Sequence, residues 1–178
     1  METIAEPVVK PAAEPPVPPP SQPVFISRTE SSEIILQSDL NHLGHLFGGR
    51  LAGIIDRTAA ISAIKHARSA VVTVSIDSLI FRRPVRLGSI LTVRASVNRV
   101  FTKSMEVGVS VWSLPPDSSA EAEYVCNAYL TFAALDSEGK SRVLPAVIPE
   151  SEVDKRRFAQ AGIRRQHRLA LQAELGKK

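Results

Sequence analysis

The sequence predicts an α+β fold in which an antiparallel sheet of about five strands wraps one long central helix, with a second helix at the C-terminus. Residues 47–67 form a helical segment that is apolar around most of its circumference, which is typical of a buried helix. After residue 71 apolar and polar residues alternate with the two-residue period of strands. Both kinds of element must bury their apolar faces, so the sheet is expected to wrap the helix.

The predicted order of elements is strand, helix, four strands, helix. The first strand is expected at residues 32–36, before a turn and a glycine-marked loop. The later strands are expected at residues 72–81, 91–98, 105–112 and 124–135. The last helix is expected at residues 150–175, with Gly162 as an unfavourable residue inside it.

The chain is expected to contain one folded domain with an extension at each end. Residues 1–24 hold eight of the thirteen prolines, and such spacing predicts a disordered tail. A proline-rich ligand for another domain is the alternative interpretation of this tail. Residues 25–149 form the predicted domain, and residues 150–178 form a basic helical extension.

Composition favours a soluble cytoplasmic protein that does not bind nucleic acid. The single cysteine, Cys126, excludes an internal disulfide framework. No apolar run approaches the roughly 20 residues of a spanning helix, and no signal pattern is present at the N-terminus. The net charge of +4 favours an anionic partner, but an aromatic content of 5% predicts no base-stacking platform.

The loop before the central helix carries the most informative motif. It occupies residues 41–51 and includes Gly48 and Gly49, and Asp56 follows seven residues after the second glycine. This segment resembles the acyl-CoA thioesterase family of hotdog proteins, of the cytosolic and bacterial type. Similar stretches recur in order over roughly residues 26–171, which makes the resemblance specific. They are Val72-Thr73, Phe81 to Val85, Gly88, Ser104 to Val107, Ala134 to Asp136, Gly139-Lys140, Pro145, Pro149, Arg164, Arg165 and Arg168.

The resemblance implies a hydrolase of fatty acid metabolism that converts acyl-CoA to a free carboxylic acid and coenzyme A. Coenzyme A is then part of the substrate, and neither a separate cofactor nor a metal is expected. In similar enzymes two subunits share the active site, one giving an acid and the other an asparagine. The resemblance therefore implies at least a homodimer, which can assemble further into a trimer of dimers. In this chain the acid is Asp56 and the asparagine is Asn41.

The motif can supply what thioester hydrolysis requires: a nucleophile, a base and donors for the developing oxyanion. Gly48 and Gly49 leave backbone N–H groups unpaired at the positive helix end, where they can polarise the carbonyl. Asp56 is expected to face a dry pocket and to act as general base or as nucleophile, two mechanisms that the sequence leaves open. Asn41 is expected to hold the water or the thioester.

Seven further residues are expected to contact the acyl group or coenzyme A. They are His45, Phe47, Thr58, Arg82, Arg83, Lys103 and Ser104. The basic members lie at a strand end and a hairpin, where they can meet the nucleotide portion. Three arginines of the last helix are expected to add a basic rim: Arg164, Arg165 and Arg168. A solvated charged surface is the alternative for each base.

Structural roles are the alternatives for the same motif. The glycine pair can be a plain loop-to-helix connection, and Asn41 can be a turn residue. Asp56 can instead form a structural ion pair with Arg50 or Arg57. Surface, capping or packing roles are favoured over catalysis for three histidines: His42, His45 and His66. Lys65 and His66 are expected to offset the helix dipole as cations at the C-terminus of the central helix.

Two other classes of protein are alternatives to a thioesterase. The first is a non-catalytic hotdog module that binds acyl-CoA or a protein partner, and the presence of Asp56 disfavours it. The second is a dehydratase acting on acyl carrier protein, which uses a histidine in a His-Phe-Pro-like loop. The segment His45-Leu46-Phe47-Gly48 does not reproduce that loop.

Overall fold

The computed structural model of the chain describes residues 19–77, 79–117 and 121–176. Most of the predicted proline-rich tail therefore lies outside the described residues. So do residue 78 of a predicted strand, residues 118–120 between two predicted strands and the last two residues of the predicted extension. In the described part, no helix is long and apolar enough to cross a membrane.

Five antiparallel strands form the main sheet, and a long helix packs against it. In chain order the elements are β1 (Gln22–Pro23), β2 (Thr29–Ile34), α1 (Gly48–Ala67), β3 (Val71–Ile76), β4 (Ile90–Phe101), β5 (Ser104–Leu114), β6 (Glu123–Ala134), β7 (Val147–Ile148) and α2 (Glu152–Leu175). The main sheet has the order β2-β4-β5-β6-β3, and all its neighbours are antiparallel. The predicted α+β hotdog architecture is confirmed.

The core lies between α1 and the inner face of the sheet. Successive side chains of a strand point to opposite faces, so the alternation of β5 sends Val107, Val109 and Val111 inward, each at most 3% exposed. On the helix, Ile55 and Ala59 are fully buried and belong to the same apolar cluster. Burying one valine or isoleucine contributes about 1.5–3 kcal/mol, so this layer provides much of the driving force for folding.

The central helix is not buried all round, although its composition predicts a buried helix. Ile61 and Ile64 are 42% and 48% exposed. Both lie on the side of α1 away from the buried Ile55 and Ala59, and the edge strand β3 also exposes Val72, Val74 and Ile76. The apolar residues on this side of the helix therefore face away from the core of the single chain.

The C-terminal helix begins at a capping box. Ser151 Oγ accepts the N–H of Asp154, and Asp154 Oδ2 accepts the N–H of Ser151, both at 3.1 Å. Gly162 does not interrupt the helix. A Cβ at that position would lie 2.5 Å from Nη1 of Arg99, so the glycine lets the β4 arginine approach the helix backbone.

The bounds of two predicted strands are corrected by the structure. The first strand covers Thr29–Ile34, because β2 pairs with β4 over those residues and Ile35 N donates to Ser89 O instead. The strand predicted to reach residue 81 ends at Ile76. Leu79 packs against the core and Phe81 lies beside the first turn of α1, so their apolar character reflects these contacts and not a longer strand.

Ordered structure also begins before the predicted domain boundary at residue 25. Strand β1 pairs in parallel with β7, and Gln22 N donates to Ala146 O at 2.8 Å. Val24 is 2% exposed and belongs to the core. The end of the predicted tail is therefore part of the domain, because its backbone pairs with β7, which lies near the other end of the domain sequence.

Candidate active site

A cavity of about 340 Å³ lies beside the N-terminus of α1. Its wall joins the loop before α1, the first turn of α1 and the segment that follows β3. Residues from all three parts line it: Asn41, His45, Gly48, Phe81, Arg82 and Arg83. All of these except Phe81 belong to the site that the sequence predicts, and the fold brings them together.

The glycine pair permits close approach of two aromatic rings to the start of α1. A Cβ on Gly48 would lie 3.3 Å from the Phe81 ring, and one on Gly49 would lie 2.7 Å from the Phe47 ring. The N-cap residue Phe47 makes no side-chain cap hydrogen bond. The first N–H groups of the helix thus lack a side-chain cap, and the positive end of the helix dipole lies at the cavity wall.

Asn41 combines a turn role with a place in the cavity wall. Its Oδ1 accepts the backbone N–H groups of Leu43 at 2.9 Å and His45 at 3.2 Å. These bonds hold the loop in an Asx turn, so Asn41 has the turn role that was the alternative to a site role. Among the described residues none accepts from its Nδ2, so the amide N–H groups are what Asn41 can offer to a ligand.

A cluster of ion pairs fastens this loop to α1. Arg50 donates through Nε to Asp39 Oδ1 at 2.8 Å and through Nη2 to Glu33 Oε2 at 3.0 Å. The N–H of Leu36, and after it Arg50, lowers the pKa of Asp39. Arg50 is therefore engaged at the start of the helix and is not a partner of Asp56.

Asp56 lies two turns further along α1 and does not line the cavity. Its Oδ1 accepts a hydrogen bond from Thr73 Oγ1 on the edge strand β3, at 2.8 Å. Within the described part of the chain Asp56 forms no ion pair, so the structure does not support a pairing with Arg50 or Arg57. Asp56 is partly exposed, and one chain alone does not form the dry pocket that the sequence predicts.

The two halves of the predicted site are separated within one chain. Asp56 follows Gly48 by eight positions in α1, which corresponds to about 12 Å along the helix axis. A carbonyl group held at Gly48 is therefore too far from Asp56 of the same chain for direct attack. This separation agrees with the expectation that two subunits share the site.

Two polar residues of α1 point into the core. Thr58 is 2% exposed, and its hydroxyl donates to Ile54 O at 2.9 Å, so its position does not favour the expected contact with substrate. His66 is fully buried, with Nε2 2.8 Å from Pro145 O. Burial lowers the pKa of His66, so the imidazole is a packing group and not the cation expected at the helix C-terminus.

The basic residues predicted to meet coenzyme A lie in three places. Arg82 and Arg83 line the cavity, and Arg83 Nη1 also contacts Glu123 Oε1 at 3.2 Å. Lys103 and Ser104 lie at the β4–β5 hairpin, beside the Val71 end of β3, whereas the cavity lies beyond its Ile76 end. One chain therefore does not bring the hairpin to the cavity.

The expected basic rim on α2 is not free for a ligand. Arg164 binds Glu106 through two hydrogen bonds, and Arg168 binds Asp77. The Arg165 guanidinium lies 4.4 Å from the centre of the Phe101 ring. All three arginines are used to dock the helix on the sheet, because the outer face of the sheet carries buried acids and aromatic rings.

Thr73 is a candidate site residue for which no role was expected from the sequence, although Val72-Thr73 is one of the stretches that resemble the family. Threonine is common in strands, so its place in an alternating pattern gives no functional signal. Only the pairing of β3 with β6 places its hydroxyl beside Asp56.

The chain has clear similarity to known proteins. The Thioesterase superfamily model matches residues 43–120. The acyl-CoA thioester hydrolase YkhA of Bacillus subtilis, itself described as uncharacterized, is 38% identical over 126 residues, which cover 71% of this chain and 73% of that protein. The chain belongs to the hotdog-fold acyl-CoA thioesterase family.

Solved structures of other family members have the same architecture. A hexameric acyl-CoA thioesterase in its apo form has a TM-score of 0.83 with 39% identity, covering 86% of this chain and 98% of that one. The acyl-CoA hydrolase of Staphylococcus aureus, solved with butyryl coenzyme A, coenzyme A and coenzyme A disulfide, has a TM-score of 0.80 with 37% identity, covering 89% and 94%. Variants of that hydrolase with alanine at an aspartate, a threonine or an asparagine have also been characterised.

The mammalian members of the family that match this chain are much longer. The human cytosolic acyl coenzyme A thioester hydrolase is 32% identical over 158 residues, which cover 87% of this chain. The match spans 39% of the human protein, and it spans 25% of mouse acyl-coenzyme A thioesterase 11.

Proposed function

We propose that this chain hydrolyses acyl-CoA thioesters in a site shared by two subunits. The observation that carries the proposal is the division of the family motif between two places in the fold. Asn41 and the glycine pair lie at the cavity, whereas Asp56 lies against Thr73 on the edge strand. A second copy of the chain would have to bring these two halves together.

The spacing of residues in the S. aureus hydrolase supports this assignment. In that protein the replaced aspartate follows the replaced asparagine by fifteen residues, and the replaced threonine follows the aspartate by seventeen. Asn41, Asp56 and Thr73 have the same two spacings. We therefore assign Thr73 to the site together with the two residues expected from the sequence.

The proposed chemistry begins with polarisation of the thioester carbonyl at the start of α1. Backbone N–H groups at Gly48 and Gly49 stabilise the developing oxyanion, helped by the helix dipole. Asp56 from the other subunit either takes a proton from the attacking water or attacks the carbonyl carbon itself. When Asp56 acts as base, the water oxygen bonds to the carbonyl carbon as the carbon–sulfur bond breaks, and the proton taken from water passes to the leaving sulfur. When Asp56 attacks, an acyl–aspartate anhydride forms as the carbon–sulfur bond breaks, and the thiolate takes a proton from solvent. Water then hydrolyses the anhydride, which releases the carboxylic acid and restores Asp56.

The apolar edge of the molecule supports a two-fold dimer as the active unit. Strand β3 lies at the edge of the sheet, and Val72, Val74 and Ile76 on it are 44–61% exposed. An exposed apolar edge strand needs a partner, and a second β3 in antiparallel orientation is self-complementary. Such a dimer covers Asp56, which supplies the dry environment that one chain lacks.

The same pairing explains where Lys103 and Ser104 can act. Antiparallel pairing sets the Val71 end of one β3 against the Ile76 end of the other. The hairpin that carries Lys103 of the partner subunit then approaches the cavity lined by Arg82 and Arg83. These cationic side chains together can bind the phosphates of coenzyme A. Hexameric relatives agree with further assembly into a trimer of dimers.

The reaction proposed here uses no cofactor besides the coenzyme A of the substrate. A cytoplasmic location is proposed with it, supported by the naming of the human relative as a cytosolic acyl coenzyme A thioester hydrolase.

The decisive experiment measures release of free thiol from acyl-CoA substrates of short, medium and long chains and from an aromatic acyl-CoA. We expect wild type to hydrolyse at least one of them. Asp56→Asn should lower kcat by about a hundred-fold or more, because it removes the base or nucleophile while keeping the size of the side chain. Undiminished turnover by Asp56→Asn would disprove its catalytic role.

A matched control is Glu174→Gln, which makes the same acid-to-amide change at an exposed residue in the last turn of α2. It should turn over substrate like wild type. If wild type binds coenzyme A but hydrolyses none of the substrates, the chain is the non-catalytic binding module and the proposed activity is wrong.

A further inference from the structure

The wall of the cavity after β3 has few backbone restraints. Residues 79–85 contain no helix and no strand, yet they supply Phe81, Arg82 and Arg83 to the cavity. Near its start the backbone is held by Asp77 N, which donates to Tyr129 O at 2.9 Å. Further along, Arg82 N donates to Val125 O at 3.0 Å, and Val85 O accepts from Leu46 N at 2.8 Å. The end of this wall nearest β3 therefore depends on what fixes Asp77.

A buried carboxylate on the outer face of the sheet organises the contact between β5 and α2. Glu106 has no exposed surface. Its Oε1 accepts from Arg164 Nη2 at 2.7 Å and from Asn98 Nδ2 at 2.9 Å, and its Oε2 accepts from Arg164 Nε at 3.0 Å. The Arg164 guanidinium also lies 3.5 Å from the centre of the Tyr129 ring. Two hydrogen bonds in a fork and a stacked ring give α2 a defined position on the sheet.

Arg168 extends this contact to the segment that forms the cavity wall. One turn beyond Arg164, its Nη1 lies 3.9 Å from Glu106 Oε2 and donates to Asp77 Oδ2. The side chains of Arg168 and Asp77 are only 23% and 18% exposed. Because an ion pair with little solvent around it is screened weakly, this pair restrains the chain where it leaves β3.

We propose that Arg168 is a positioning residue that acts through Asp77, so that the C-terminal helix holds the wall of the acyl-CoA cavity in place. This inference rests on the proposed function, since it concerns the affinity of that same site. Loss of the ion pair leaves Asp77 held by one backbone hydrogen bond, and the wall from residue 79 to residue 85 becomes less ordered. Binding of substrate weakens, because ordering the wall then opposes it.

The step that breaks the thioester is affected less than binding. Asp56 and Gly48 belong to α1, and Thr73 belongs to the paired part of β3. None of these three residues lies on the restrained segment. The inference therefore predicts a rise in KM with little change in kcat, whereas loss of a catalytic group lowers kcat.

The test uses the full chain with three variants: Arg168→Gln, Asp77→Asn and the double variant. KM and kcat are measured with an acyl-CoA that wild type hydrolyses, and the dissociation constant of coenzyme A is measured by calorimetry. We expect each single variant to raise KM and the dissociation constant by roughly three- to ten-fold. The double variant should match the single variants, because both changes remove the same ion pair.

Two further variants separate this role from a general loss of structure. Arg168→Lys keeps the positive charge and should restore KM at least in part. Arg156→Gln removes an exposed arginine from the same helix and should leave KM unchanged. Additive effects in the double variant, or an unchanged KM in Arg168→Gln, would overturn the inference.

Hydrogen exchange gives a readout that does not depend on hydrolysis. The amide of Arg82, which donates to Val125 O, should exchange faster in Arg168→Gln than in wild type or Arg156→Gln, while the amides of α1 are unchanged. If wild type hydrolyses no acyl-CoA, the proposed function fails, and this measurement still decides whether Arg168 restrains the wall. Equal exchange in all three proteins means that it does not.

Discussion

At the scale of single residues, the pair of Asp56 and Thr73 shows how an ordinary strand residue enters the proposed site. Asp56 lies on a helix and Thr73 on the edge strand, and the hydroxyl donates to the carboxylate at 2.8 Å. A hydrogen bond to an ionised group is shorter and stronger than one between neutral groups, so the threonine fixes the direction in which the carboxylate points. The helix alone leaves that direction free.

Replacing Thr73 should therefore impair catalysis without impairing the fold. Thr73→Val keeps the shape and the strand propensity but removes the hydroxyl. We expect kcat to fall by roughly ten- to a hundred-fold, since hydrogen bonds to charged groups contribute about 1.5–3 kcal/mol. Thr73→Ser keeps the donor and should retain most of the activity. Steady-state hydrolysis of one acyl-CoA by wild type and both variants tests this. A kcat of Thr73→Val equal to that of wild type would exclude Thr73 from the site.

At the scale of elements, the outer face of the sheet and α2 are joined mainly through charged and aromatic groups. The Arg99 guanidinium lies 4.3 Å from the centre of the Phe158 ring, and Arg164 donates two hydrogen bonds to the buried Glu106. Sequence spacing predicts that residues 150–175 form a helix, and α2 confirms it. The partner of Arg164 lies 58 residues away, and no periodicity indicates such a contact.

Removal of the buried carboxylate should destabilise the protein more than removal of an exposed one. Glu106→Ala leaves Arg164 without its partner in a desolvated site, and we expect the free energy of unfolding to fall by about 3–5 kcal/mol. Glu123→Ala breaks the exposed pair with Arg83 and should cost no more than about 1 kcal/mol. Urea denaturation of both variants measures the difference. Similar losses would contradict a structural role for Glu106.

At the scale of the whole molecule, one edge of the sheet is unlike the other. Strand β3 exposes Val72, Val74 and Ile76, and α1 exposes Ile61 and Ile64. Strand β2 at the opposite edge carries Glu30 and Glu33. Charged residues protect an edge from pairing, so the apolar edge is the one suited to a second copy.

A charge placed on that edge should prevent dimerisation and hydrolysis together. Val74→Lys puts an ammonium group at a position that is 61% exposed in one chain and buried in the proposed dimer. Sedimentation should give a monomer with little thioesterase activity. Ile34→Lys makes the same kind of change on the β2 edge, at a residue that is 59% exposed, and should remain dimeric and active. A fully active dimer of Val74→Lys would exclude β3 as the interface.

The sequence by itself determined the fold class, the family and the residues of the motif. Periodicity reports which faces are buried, and the order of residues around Gly48 and Asp56 is local information. Tertiary structure alone decided that Thr73 faces Asp56, that the α2 arginines bind acids of the sheet and that β1 joins the domain. Each of these contacts joins residues far apart in the chain, and their meeting depends on how the sheet pairs and curls around α1.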